Sequence, residues 1–255
     1  MTELVLFLSG IVVGAMNAIA GGGMLLGFPI LLTTGISPLI ANATSSVITL
    51  PGQLSSAYAY RTYLRKIPKL YLLLIIPCII GAVIGTYILR NTPAQHFQEL
   101  VPGLILFAVL LFAYQPFLHR MVHRHMHGLA KFRKSNRPVY ILCVAMFPLA
   151  IYGGYFGAGM GFIMLAFIGF TKIHEIHQVA VLKNMMAAVI VATSIVCLLG
   201  SHLINWKFGL IMGAGNMVGG YAGARGAQRF SSHAIRILII TIGITTAIYL
   251  VFKDY

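Results

Sequence analysis

Long apolar runs alternate with short polar segments along the whole chain. At about 20 apolar residues per helical crossing of a bilayer, spans are predicted near 4–20, 38–60, 70–89, 100–118, 139–156, 179–202, 208–224 and 235–252. Two apolar segments, 24–32 and 162–170, are left over, and each is too short to cross alone. Each follows a glycine cluster: Gly21-Gly22-Gly23 in one case, Gly157-Ala158-Gly159-Met160-Gly161 in the other. They read as re-entrant half-helices or as extensions of the preceding span. Broken backbone persists at membrane depth only where protein or a watery cavity satisfies the freed N–H and C=O groups. The two breaks therefore mark the expected cavity.

The breaks lie 138 residues apart, and identities recur at that offset without a gap: Gly21 with Gly159, Ile30 with Ile168, Thr33 with Thr171, Lys69 with Lys207, Gly81 with Gly219 and Gly85 with Gly223. Their common register argues for two copies of one unit. The first transmembrane repeat is expected over 1–118 and the second over 139–255, joined by the basic, His-rich segment 119–138, HRMVHRHMHGLAKFRKSNRP. Four spans per copy would make the repeats parallel rather than inverted.

Composition sharpens the class. The chain is 59% hydrophobic and only 9% charged, with a mean hydropathy of +0.90, whereas soluble domains carry roughly 25% charged residues. The expected fold is an all-α integral membrane protein of about eight transmembrane helices, built as two four-helix repeats with a glycine-broken or re-entrant segment in each. No Lys or Arg precedes Leu4–Ala20, so this run reads as the first span and not as a cleaved signal.

A net charge of +14 would suggest nucleic acid in a soluble chain, but here the cations fall between apolar runs, where membrane orientation accounts for them. Assigning loops alternately puts Arg61, Arg65, Lys66, Lys69, the six cations of 119–138, Lys207 and Lys253 on one side. Arg90, Lys172, Arg225, Arg229 and Arg236 fall on the other. The richer side is expected in the cytoplasm, together with both termini. Cys78, Cys143 and Cys197 each stand alone in an apolar segment, as packing residues do.

The glycine clusters lack the Lys-Ser/Thr of a phosphate-binding loop and any βαβ surroundings. Each break can free backbone N–H groups at a half-helix N-terminus, which suits an anion. The structural alternative is close helix packing, which the pairs Gly10/Gly14, Gly81/Gly85 and Gly219/Gly223 are expected to serve. After the first break, Asn42, Ser45, Ser46, Thr49 and Gln53 share one helical face, with Thr44 beside them. Such a stripe either hydrogen-bonds an oxyanion or glues helices together. At the equivalent positions of Ser45 and Ser46 stand Lys183 and Asn184, so a neutral pair has become a cationic one. Lys183 either faces an anion or snorkels, since it lies only about four residues inside its predicted span. His119, His123, His125 and His127 include an i, i+4 pair, yet the many cations alongside favour a solvated basic loop over a metal site. His174, Glu175 and His177 adjoin the second break and are candidates for proton coupling, against an ordinary interfacial cluster.

With those residues in place, the chain resembles the sulfite exporter TauE/SafE family, also called the toluene-sulfonate uptake permease family, over nearly its whole length. The resemblance rests on Ala41-Asn42-Ala43-Thr44-Ser45 running on to Pro51-Gly52 and Tyr60-Arg61. It rests also on Trp206 before Gly219-Gly220-Tyr221-Ala222-Gly223-Ala224-Arg225, and on Lys183-Asn184. It implies a multi-pass carrier of the bacterial or archaeal inner membrane that moves small anions such as sulfite, sulfonates or other organosulfur compounds. The expectation is a secondary transporter working by alternating access, not an enzyme, with no cofactor and no metal. Its expected substrate residues are Gly21, Gly22, Gly23, Asn42, Thr44, Ser45, Gln53, Gly157, Gly159, Gly161, Lys183 and Asn184. A small anion and the lipid bilayer are the expected partners, nucleic acid is not, and the sequence leaves a homo-oligomer open. Nine histidines make a metal-ion transporter the alternative, although intramembrane carboxylates and thiolate pairs are missing. A membrane-embedded enzyme ranks third, for want of paired carboxylates or a Ser-His-Asp set.

Overall fold

The computed structural model describes residues 3–126, 137–169, 171, 173, 175–226 and, within 240–252, residues 240–241, 243–248, 250 and 252. The described chain is helical. Its elements are α1 (Glu3–Ala20), α2 (Met24–Leu32), α3 (Pro38–Ala59), the short α4 (Arg61–Leu64), a 3-10 turn (Lys69–Leu74) running into α5 (Ile75–Asn91), α6 (Ala94–Met126), α7 (Arg137–Tyr155), α8 (Met160–Gly169), α9 (Ile176–Leu198) and α10 (Trp206–Gly226). The leftover apolar segments are thus short helices of their own, α2 and α8. The boundaries follow local chemistry: Ser37 accepts a hydrogen bond from the Ile40 N–H ahead of Pro38 at the start of α3, a favourable N-terminus.

Three of these stretches, Lys69–Asn91, Ala94–Tyr114 and His177–Leu198, are long and apolar enough to cross a membrane. Glu3–Ile19, Val139–Tyr155 and Met160–Gly169 are shorter apolar helices. α3 and α10 are long but more polar or glycine-rich, because their faces are buried against protein: Asn42, Thr44, Ser45, Thr49, Gln53, Ser55 and Ser56 of α3 are all buried. Lipid-compatible surface is supplied by α5, α6 and α7, whose Ile76, Ile80, Tyr87, Leu110, Tyr114, Ile141 and Val144 are exposed.

Helix direction departs from the alternating-loop expectation. α1, α3 and α10 run parallel: Glu3 pairs with Lys207 at 2.9 Å, and the Asn205 N–H donates to Thr44 Oγ1 at one end. At the other end Ser56 Oγ donates to the Gly220 carbonyl and Tyr60 Oη to the Ala224 carbonyl. α5, α7 and α9 are likewise parallel, with Thr86 Oγ1 donating to the Gly154 carbonyl and to Ser194 Oγ. The two triplets are antiparallel, since the end of α3 meets the start of α9, where the His177 ring lies 5.4 Å from that of Tyr60.

Two expectations are corrected by this arrangement. α1 and α7, which start the two expected repeats, run in opposite directions, contrary to the parallel arrangement expected of them. Lys207 and Glu3 lie at the end opposite Arg61–Lys69 and Arg225, so the start of α1 does not share an end with the 61–69 connection. The reason lies in the stretches that hold α2 and α8, which return the chain between parallel helices and add a reversal that span counting omits. Lys253 and the C-terminal residues lie outside the described residues.

Each half also lends a helix to the other. α1 packs on α10 and α7 on α5, through the glycine pairs anticipated for packing. A Cβ on Gly219 or Gly215 would overlap the backbone of Ile11 or Phe7, and one on Gly85 the carbonyl of Ile151. These close crossings are van der Waals contacts that only small residues allow. α6 continues to Met126, eight residues beyond the boundary expected at 118, and residues 127–136 of the linker lie outside the described residues.

Candidate functional site

The two glycine breaks meet. α1 stops at Ala20, Gly21 takes φ +81°, and α2 starts at Met24; α7 stops at Tyr155, Gly157 and Gly159 take φ +74° and +78°, and α8 starts at Met160. These left-handed values are open to glycine at little cost. A Cβ on Gly161 would lie 3.0 Å from the Gly21 carbonyl oxygen, so the chains pass each other in contact. Among the described residues no backbone carbonyl accepts from the N–H groups of Gly22, Gly23, Ala158 or Gly159. α2 and α8 therefore begin with unpaired donors and the positive ends of their helix dipoles.

Beside this contact lies a cavity of about 30 Å³. Its walls are Asn17, Gly21 and Met24 from the first break; Gly153, Phe156, Gly157, Gly159, Met160 and Gly161 from the second; Ser46, Thr49 and Gln53 from α3; and Ala187 and Val191 from α9. No acidic side chain is among them. At the 138-residue offset Thr49 corresponds to Ala187 and Gln53 to Val191, so the α3 wall is polar where the α9 wall is apolar. Gln53 is 5% exposed, and its Oε1 has no hydrogen-bond partner among the described residues. Ser46 Oγ makes no hydrogen bond among the described residues, while Thr49 Oγ1 donates to the Ser45 carbonyl at 2.9 Å.

Of the expected substrate residues, Gly21, Gln53, Gly157, Gly159 and Gly161 line the cavity. Gly22, Gly23, Asn42, Thr44, Ser45, Lys183 and Asn184 do not. Gly23 lets α2 approach α1, since a Cβ there would come within 2.7 Å of Asn17 Cβ. Thr44 caps the turn before α10, and Ser45 Oγ donates to the Ala41 carbonyl at 2.7 Å. Asn42 Nδ2 donates to the Tyr155 carbonyl at 2.8 Å. Lys183 is 2% exposed, and its Nζ donates to the Asn17 carbonyl at 3.3 Å. Asn184 is buried, with neither amide atom bonded among the described residues. Asn17, a wall residue outside the expected set, carries a visible signal: it is a lone amide in an apolar run, one turn before the glycines.

The coupling candidates do not form a relay among the described residues. Glu175 accepts from Gln178 Nε2 at 2.8 Å, and His177 stacks on Tyr63 with ring centroids 4.7 Å apart. His174 lies outside the described residues. No group of three or more His, Cys, Asp or Glu side chains is placed to hold a metal ion among the described residues.

Comparison with known proteins agrees with this architecture of apolar helices. The family described as sulfite exporter TauE/SafE matches residues 6–250. A "probable membrane transporter protein" of Haemophilus influenzae is 30% identical over 238 residues, covering 92% of this chain and 89% of that one. "Probable membrane transporter protein ORF9" of a Sinorhizobium species is 28% identical, over 96% of this chain and 90% of that one. "Probable membrane transporter protein YfcA" of Escherichia coli K12 is 26% identical, over 98% and 90%. No solved structure matches the chain. By a family match that takes in almost every helix described above, the chain belongs to the sulfite exporter TauE/SafE family of membrane transporters.

Proposed function

We propose that this protein is a secondary carrier for a small anion, bound where the two glycine breaks meet and moved by alternating access between two inverted repeats. The observation that carries this reading is the convergence of two half-helix N-termini, each with unpaired N–H donors, on one cavity with Ser46, Thr49 and Gln53 in its wall and no acid. Broken helices whose N-termini point at an anion are a recurrent solution in carriers built from inverted repeats. The size of the cavity favours a compact anion such as sulfite, a small sulfonate or a small carboxylate. The family's description as sulfite exporters puts sulfite first.

Positive charge orients the molecule. Arg61, Arg65, Lys66, Lys69 and Arg225 lie at one end, where α6 also hands the chain to the basic segment before α7; Arg90 and Lys207 lie at the other. The basic end faces the cytoplasm of a bacterial or archaeal inner membrane, and Glu3 faces outward. With no carboxylate in the cavity wall among the described residues, the substrate either exchanges or carries its own proton as a weak acid. The experiment is thermal unfolding of the purified protein with sulfite, methanesulfonate, acetate, chloride and divalent cations. A ligand that binds only the folded state raises the midpoint. A rise with the oxyanions and none with the cations is expected, and the reverse pattern would point to a metal-ion transporter.

A further inference from the structure

Asn17 and Tyr155 occupy equivalent positions, 138 residues apart, in the last turns of α1 and α7 just before the breaks. The carbonyl of each is held by a side chain from the other half. Asn42 on α3 reaches across to Tyr155 at 2.8 Å, and Lys183 on α9 reaches across to Asn17 at 3.3 Å. Both bonds tie the negative end of a broken helix to the helix that faces it. They sit on opposite sides of the cavity, because α1 and α7 run in opposite directions. They are made by different residues: the counterpart of Asn42 is Ala180, and that of Lys183 is Ser45. One tie is a neutral amide and the other an ammonium.

We propose that Asn42 and Lys183 are paired latches, positioning residues that hold the broken ends of α7 and α1 closed on the two sides of the cavity, and that only the Lys183 latch responds to a bound anion. The ammonium carries three donors, and among the described residues it meets one carbonyl and pairs with no acid. An anion in the cavity beside Asn17 and Gly21 is a stronger partner, since hydrogen bonds between two ions are stronger than those to a neutral carbonyl. Drawing Nζ toward the anion loosens the end of α1. The Asn42 amide gains nothing comparable, so α7 stays fastened. Occupancy thereby selects which side opens, by the difference in affinity between latched and unlatched states. The trigger rests on the anion-carrier reading above; the latches themselves do not.

The test uses Ala187→Cys in the cavity wall of the full-length chain, with Cys78, Cys143 and Cys197 replaced by alanine, so that the introduced thiol alone reports on the cavity. A membrane-impermeant maleimide is applied to right-side-out and inside-out vesicles, and Thr62→Cys identifies the vesicle face that exposes the Arg61–Lys69 end. Lys183→Met should raise labelling of the cavity thiol from that end on the order of tenfold, as loss of one charged hydrogen bond predicts. Asn42→Ala should raise it from the opposite end by less, and Lys183→Arg should leave it near the parent value. Equal labelling from both ends in both variants, or a change on the same face for both, overturns the latches. The Asn42 arm decides this even if Lys183→Met does not fold. Methanesulfonate added to the parent should raise labelling from the Arg61–Lys69 end only. If it has no effect while the two variants behave as expected, the latches stand and the anion reading fails.

Discussion

Single side chains carry the chemistry. Lys183, nine-tenths buried and more, has an ion's demand for partners and, among the described residues, only the Asn17 carbonyl to meet it. Lys183→Met should weaken binding of the anion that most stabilises the protein by about 1–3 kcal/mol, the worth of a charged hydrogen bond, measured by titration calorimetry on the folded variant. Unchanged affinity would leave it a latch alone. Ser46→Ala and Gln53→Leu each remove a neutral group from the cavity wall, so each should cost less, about 0.5–1.5 kcal/mol in the same titration. Glu175→Gln and His177→Ala should leave substrate exchange across proteoliposomes at the parent rate; proton-gradient-driven accumulation of a substrate ionised throughout the pH range, present in the parent and lost in these variants with exchange preserved, would establish a protein relay there.

Helices show what is legible in the sequence and what is not. The long apolar runs and both glycine breaks are visible there, and the stripe on α3 places Ser46, Thr49 and Gln53 together, as the cavity wall does. Asn42 and Ser45, on the same stripe, turn instead to backbone carbonyls, and nothing in their spacing distinguishes these uses. Hydropathy also cannot tell that a nine-residue helix such as α2 reverses the chain, and each such reversal flips the direction of every later helix. Glycine pairs do read as packing surfaces, and they make a contrast to measure. Gly219→Ala forces a Cβ onto the Ile11 backbone and should destabilise by about 1–3 kcal/mol, as overpacking does. Gly103→Ala, in α6 with nothing within 4 Å of the new carbon, should be neutral or gain up to about 1 kcal/mol from helix propensity. Thermal midpoints of the two purified variants in one detergent check the pair.

At the scale of the molecule, orientation is the sharpest prediction. Gln95, exposed just inside α6, and Thr62, exposed in α4, lie at opposite ends. Gln95→Cys should react with an impermeant maleimide in intact cells, whereas Thr62→Cys should react only after permeabilisation. The interleaving of the halves has a consequence for how the protein is made. α1 emerges from the ribosome first, but its glycine face closes on α10, which follows roughly 190 residues later, about 10 to 40 s at typical ribosomal synthesis rates. Throughout that interval Gly10 and Gly14 present bare backbone with no native partner. The first half of the nascent chain is therefore inserted but unfinished, and it depends on lipid or an insertion chaperone to shield α1 until α10, in the last fifth of the chain, arrives.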